Sequence, residues 1–230
     1  MRKWKAICFV VLAFILAMSS SWTVFAETSE NVTVTVGIHV YVDDAFIFVA
    51  EYYYWYPWKD LAYIIVSMGV YGFYENFKID MKIASYNIWN PPTLNVYNLI
   101  SMMYYSLSNQ QLDTEPKEIF LSLTGGDLYR PIGQDREYGV RGAAPPADEW
   151  YWGCVAAEIS VRTVQHEISH LYGPLDHEEP VECVMYAPCE SEDWCQPCKD
   201  TIWGNKFRFG FIIKQYSGAI PLAKDVEQEV

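Results

Sequence analysis

The pattern with the clearest chemical content in this sequence is His166-Glu167-Ile168-Ser169-His170. On a helix, residues four apart project from one face, one turn above the other. Two imidazoles so placed supply two corners of a tetrahedral zinc. Glu167 follows the first histidine and stands beside such a metal without ligating it. A general base must sit there to take a proton from an attacking water. At about 100° per residue, Val161, Val164, Ile168 and Leu171 gather into one apolar stripe, with His166 and His170 on nearly the opposite side. The spacing predicts a helix over 161–172, capped by Ser160 and stopped by Gly173-Pro174. Its imidazoles should face a cleft or solvent.

The rest of the chain must hold that helix. Val32 to Tyr41 alternates and is rich in β-branched residues, a strand signal. From Trp58 to about Phe77 the apolar spacing is helical, and Lys78 to Asn87 alternates again. Asn90-Pro91-Pro92 reads as a loop and Thr93 to Ser106 as a helix. Ile119 to Leu123 is a short apolar strand running into the turn Thr124-Gly125-Gly126-Asp127. Arg130 to Asp148, dense in Gly and Pro, predicts a surface loop with one short strand at Tyr138 to Arg141. Cys154 to Ile159 gives a last strand before the histidine helix. Beyond Gly173 the sequence reads as irregular to about Cys198, with Phe207 to Ile213 closing as a strand or short helix. The order β-α-β-α-β-β-β-α, then a small irregular lobe, predicts an α+β fold.

Composition bounds the alternatives. The chain has 230 residues, 51% of them apolar, enough for one domain with a substantial core. Residues 1–26 read as a signal peptide: Arg2, Lys3 and Lys5 precede the apolar run Ile7 to Met18, and Ala26 offers a cleavage site. The expectation is a secreted protein, touching a membrane only if that segment stays uncleaved. The formal net charge is −13, and the leader's charges are all basic, so the remainder is more acidic still. Such a chain repels phosphate backbones, which argues against a nucleic-acid partner. Cys8 leaves with the leader; Cys154, Cys183, Cys189, Cys195 and Cys198 remain, four of them crowded just after the histidine motif. In an oxidising compartment that crowding reads as disulfides, while the spacing also admits a second, structural zinc.

The run from His166 through His170 and Gly173 to Asp176 resembles the metzincin zinc-binding consensus, in which a glycine ends the helix and the chain turns back to supply a third ligand. Most metzincins use histidine there. Asp176 occupies the matching position, as in the snapalysin-like branch, and a carboxylate oxygen is an acceptable zinc ligand. His177 is the alternative third ligand if the turn is one residue longer. Cys183-Val184-Met185-Tyr186 is similar to the methionine turn of the family, which would make Met185 an apolar floor under the metal. Tyr186 is a candidate transition-state stabiliser, although many metzincins place that tyrosine one residue later. The Cys-x-Met element and Cys195-Gln196-Pro197-Cys198 are also similar to archaemetzincins, which carry a four-cysteine structural zinc. Here the cysteine expected just after the third ligand is missing, Cys189 is extra, and the gap before the Cys-x-x-Cys pair is short.

The resemblance is tight only over about Val164 to Tyr186. It implies one metzincin-like peptidase domain over 27–230. A twisted mixed sheet and the active-site helix would form a larger upper lobe, about 27–173, above a small irregular lower lobe, about 174–230. The strand near Cys154 would run along the cleft edge, where an extended peptide could pair with it. The implied activity is zinc-dependent endopeptidase cleavage of peptide or protein substrates. The rival reading is a non-catalytic exported module in which zinc and cysteines only brace a binding surface. Two further features read as structural: the aromatic run Tyr52 to Trp58 as a segment packed partly into the core, and Asp43-Asp44 and Glu178-Glu179 as solvated turns.

Overall fold

Strand β1 (Val34–Val42) buries every second residue completely, Val34, Val36, Ile38, Val40 and Val42 facing the core. Period-2 alternation of β-branched residues is what a strand with one packed face requires. The computed structural model describes residues 32–102, 118–132, 135–145, 153–157, 160–186 and 190–212. The proposed leader, residues 1–26, lies outside them. Among the described residues, no helix is long and apolar enough to cross a membrane.

The fold is a mixed α/β arrangement around a mainly parallel sheet. From β1 the chain passes through the short helix α1 (Asp44–Phe48) and a π-helical turn (Val49–Tyr53) into the long helix α2 (Trp58–Phe77), then returns as β2 (Ile79–Ile88). Strand β3 (Ile119–Thr124) follows, then the hairpin β4 (Leu128–Ile132) and β5 (Asp135–Val140), the two-residue β6 (Gly142–Ala143) and β7 (Gly153–Ala157). Helix α3 (Val161–Leu171) carries the histidines, and α4 (Gln196–Gly204) and β8 (Phe211–Ile212) end the described chain. In the main sheet the order is β2-β1-β3-β7-β6, with β8 pairing the start of β1. β1, β2, β3 and β7 run parallel, and β6 and β8 are antiparallel. β3 is buried along its whole length, as a central parallel strand covered on both faces must be.

Several expectations need correction. The strand near Cys154 is β7, and it is paired on both sides; the sheet edge is β6. The short strand expected at Tyr138 to Arg141 falls largely within β5, but Gly and Pro density hid its start and its partner β4, so the loop reading of 130–148 missed the β4–β5 hairpin. The aromatic run is largely exposed: Tyr52, Tyr53, Tyr54 and Tyr56 are about half accessible or more, and Trp55 is 86% exposed. Asp43 is buried, not solvated. Its carboxylate accepts the amide of Phe46 at 2.7 Å and that of Gly125 at 3.2 Å, together with the Thr124 hydroxyl. It therefore caps α1 and ties it to the end of β3. Asp44 and Glu178-Glu179 are exposed as expected. The helix expected over 93–106 is present at 96–102, with Val96 and Leu99 packed on Phe120 and Leu128; its remainder lies outside the described residues.

Two helices frame the site. α2 and α3 pack closely enough at Gly69 that a Cβ there would lie 2.9 Å from the Val161 carbonyl oxygen. Val164, Ile168 and Leu171 of α3 enter the main core, as the stripe predicted. Cys183, Val184, Met185, Trp194, Ile202 and Phe209 belong to the same buried cluster, so the C-terminal region shares the core of the sheet.

Candidate metal centres

Helix α3 is set by its first turn. Ser160 is extended and its hydroxyl accepts the amide of Thr163 at 3.1 Å, satisfying one of the open N–H groups at the helix start. Two turns on, His166 and His170 point Nε2 at one another across 3.2 Å, their rings nearly perpendicular. Their other nitrogens are committed: His166 Nδ1 lies 2.9 Å from the Val184 carbonyl and His170 Nδ1 2.8 Å from that of Pro174. A carbonyl only accepts, so both rings carry the proton on Nδ1 and turn the Nε2 lone pair toward the shared space. Outer hydrogen bonds of this kind orient metal-ligating histidines.

After Leu171 the chain turns on Gly173, whose φ of 112° is a conformation that only glycine adopts readily. The turn brings Asp176 Oδ1 to 3.1 Å from His166 Nε2 and 3.5 Å from His170 Nε2. Metal–nitrogen bonds of about 2.0–2.1 Å at tetrahedral angles separate ligand atoms by about 3.4 Å. The three atoms at 3.1, 3.2 and 3.5 Å fit the face of such a tetrahedron.

Glu167 sits alongside. One of its carboxylate oxygens and one ring nitrogen from each of the two imidazoles lie within 4.8 Å of one another. The residue is 4% exposed, and its Oε2 has no hydrogen-bond partner among the described residues. Burial pushes its carboxyl up to about 8; His166 and Arg130 act against that shift, and Asp176 adds to it. Across from it, Gly142 of β6 comes so near that a Cβ would lie 2.6 Å from both Cγ and Cδ of Glu167. The group opens on a cleft of about 870 Å³ whose wall includes Tyr97, Arg130, Tyr138, Arg141 and the β6 edge. His166 is nevertheless only 9% exposed, so the histidine face is less open to solvent than its periodicity implies.

His177 stands elsewhere. Its Nε2 lies 3.3 Å from the sulfurs of both Cys195 and Cys198, and Cys183 Sγ is 3.8 Å from Cys198 Sγ. His177, Cys183, Cys195 and Cys198 thus form a second group of four converging ligand atoms. Metal–sulfur bonds of about 2.3 Å give tetrahedral sulfur–sulfur separations of about 3.8 Å. The amides of Cys195 and Met185 point at Cys183 Sγ, at 3.3 and 3.5 Å. The disulfides expected here are not formed: Cys154, Cys183, Cys195 and Cys198 are free thiols, and 3.8 Å is nearly twice the S–S bond of about 2.05 Å. Cys154 takes no part, being fully buried on β7, where burial raises its thiol well above the ordinary value. Cys189 lies outside the described residues. The sequence reading missed His177 as a partner of the cysteines, although its place one residue past Asp176 was the available signal.

The turn Cys183-Val184-Met185-Tyr186 lies between the two groups, closed by the Tyr186 amide donating to the Cys183 carbonyl at 3.0 Å. Met185 is fully buried. Tyr186 is half-buried and is not among the residues lining the cleft. Arg162, which the sequence reading passed over, anchors this turn. Its guanidinium donates to the carbonyls of Val184 at 2.9 Å and Tyr186 at 2.8 Å, and its Nε to that of Ser191 at 3.3 Å.

No family model matches the sequence, and no curated protein matches it. Solved structures do. One chain in a structure of a chaperone–substrate complex aligns with a TM-score of 0.57 at 11% identity, over 76% of this chain and 35% of that one. This chain therefore spans about a third of the length of that neighbour, and the likeness is one of fold. The archaemetzincin of Methanopyrus kandleri aligns with a TM-score of 0.47 at 18% identity, over 75% of this chain and 96% of that one.

Proposed function

We propose that the protein is a zinc-dependent endopeptidase. His166, His170 and Asp176 would hold the metal, with Glu167 as the general base. The observation that carries this reading is the convergence of His166 Nε2, His170 Nε2 and Asp176 Oδ1 beside the buried Glu167 carboxylate, whose Oε2 has no hydrogen-bond partner among the described residues. The donor set suits zinc: two neutral imidazoles with their protons fixed on Nδ1, one carboxylate, and a side open to the cleft. A bound zinc would supply Lewis acidity toward water and a peptide carbonyl. Glu167 takes the proton of the attacking water and returns it to the leaving amine. Met185 is the floor beneath the histidines. The cleft admits an extended peptide along β6, whose outer side is the sheet edge.

A second zinc fits His177, Cys183, Cys195 and Cys198, three thiolates and one imidazole with no side left for substrate. This second site supports the rival reading of a braced, non-catalytic module, but that reading gives no role to a buried Glu167 on the cleft whose Oε2 has no hydrogen-bond partner among the described residues. Export also belongs to the proposal, and N-terminal sequencing of the protein recovered outside its host should begin at about Glu27.

The direct test compares wild type with Glu167→Gln, counting zinc per molecule and assaying cleavage of unfolded casein. Zinc content should be equal and activity should fall by roughly 10²- to 10⁴-fold, the usual weight of a general base. Equal activity in both, or none in either despite bound zinc, refutes the proposal.

A further inference from the structure

The two groups of ligands are not independent neighbours, because one short stretch of chain serves both. Asp176 reaches the imidazoles of His166 and His170, and the next residue, His177, reaches the sulfurs of Cys195 and Cys198 at 3.3 Å. The same pairing recurs seven residues on. Cys183 places its sulfur in the second group, and the next residue, Val184, offers the carbonyl that fixes His166 Nδ1 at 2.9 Å. The two dipeptides are tied to each other, since the His177 amide donates to the Met185 carbonyl at 3.0 Å. Residues 174–183 form no helix or strand, so no backbone ladder holds them in place. Asp176 itself is 64% exposed at its side chain, so packing does not hold it either.

We infer that His177 and Cys183 are positioning residues for the first centre, so that a metal held by His177, Cys183, Cys195 and Cys198 sets how tightly His166, His170 and Asp176 bind theirs. The inference rests on reading the latter three as a metal centre. A metal in the second group fixes, in one event, the backbone that delivers the third ligand and the carbonyl that orients the first. The first group would otherwise bear the cost of ordering that segment itself. Coupling of this kind is reciprocal, so each metal tightens the other.

The test uses the full chain, stripped of metal and kept reduced. One equivalent of Cd²⁺ occupies the thiolate group, because soft sulfur donors prefer it. Co²⁺ is then titrated and followed by its visible d–d bands, which in a sulfur-free nitrogen–oxygen site carry no thiolate charge-transfer absorption. Cadmium-loaded protein should bind Co²⁺ at the first centre roughly 10- to 100-fold tighter than cadmium-free protein, the usual weight of outer-shell support. His177→Ala should lose that enhancement although all three first-centre donors remain, and His177→Cys, which restores a fourth soft ligand, should regain most of it. Leu175→Ala, a change at an exposed residue of the same turn, should leave it intact. Affinities equal within twofold with and without Cd²⁺ overturn the coupling, a comparison that needs no variant to fold. Failure to observe any sulfur-free Co²⁺ site instead overturns the reading of the first centre.

Discussion

Gly142→Ala isolates the geometry of the proposed base, Glu167, because it adds one methyl group and touches no proposed metal ligand. A Cβ at this position would stand 2.6 Å from both Cγ and Cδ of Glu167. Carbon atoms prefer separations of about 3.5–4.0 Å, so the overlap is about 1 Å. Gly142 is not among the residues with positive φ, so the backbone itself tolerates alanine and the whole effect is steric. Either Glu167 moves away from its place beside the histidines or the β6 edge moves outward. A displacement of about 1 Å in a reacting group costs on the order of 10²-fold in rate, which is about 2.7 kcal/mol of barrier. Overpacking should lower stability by about 1–3 kcal/mol. The measurement is kcat on a peptide substrate, together with zinc content and urea unfolding. The expected result is full zinc content, a folded protein and kcat reduced by roughly 10²-fold. A variant with kcat within twofold of wild type would refute the placement of Glu167 against β6.

Three further outcomes follow from the same geometry. Arg162→Ala removes charge-assisted hydrogen bonds to Val184 and Tyr186 and should lower the unfolding free energy in urea by about 2–3 kcal/mol, while weakening zinc binding because the Val184 carbonyl also orients His166; an unchanged urea midpoint would rule out the clamp. Ser160→Ala removes the hydroxyl that caps α3 and should cost about 1 kcal/mol, with Ser160→Gly costing only a few tenths, as read from denaturant midpoints. Dialysis against a strong chelator should lower the thermal midpoint, and added zinc should restore it in a concentration-dependent way, since a ligand that binds only the folded state stabilises by mass action. A midpoint indifferent to chelation would exclude both metal centres.

What was legible in the sequence is what local chemistry decides. The α3 helix follows from a serine cap, an apolar period near 3.6 and a glycine stop, all within fourteen residues of chain. The histidine pair follows from that helix, since spacing alone places both rings on one face. β1 and α2 were visible for the same reason. α4 was missed because Gln196-Pro197 reads as a loop signal, although proline is also favoured in the first turn of a helix, as here. The β4–β5 hairpin was hidden by Gly and Pro residues, and the exposure of the aromatic run cannot be read from residue type, since tyrosine and tryptophan are at home both in cores and at surfaces.

The choice between Asp176 and His177 shows where the sequence by itself stops. Both are ligand types, adjacent in the chain, and the turn after Gly173 could deliver either one. The decision lies 18 and 21 residues away, where the sulfurs of Cys195 and Cys198 meet His177 Nε2. The same tertiary arrangement keeps Cys183, Cys195 and Cys198 as thiols around a histidine in place of pairing them, and puts an arginine from the first turn of α3 on the carbonyls of Val184 and Tyr186. The sequence determined the histidine helix and the residue types able to bind a metal, because those depend on neighbours within a turn or two. Only the tertiary structure shows which group of donor atoms each side chain joins, because that depends on which distant atoms the core brings within about 4 Å.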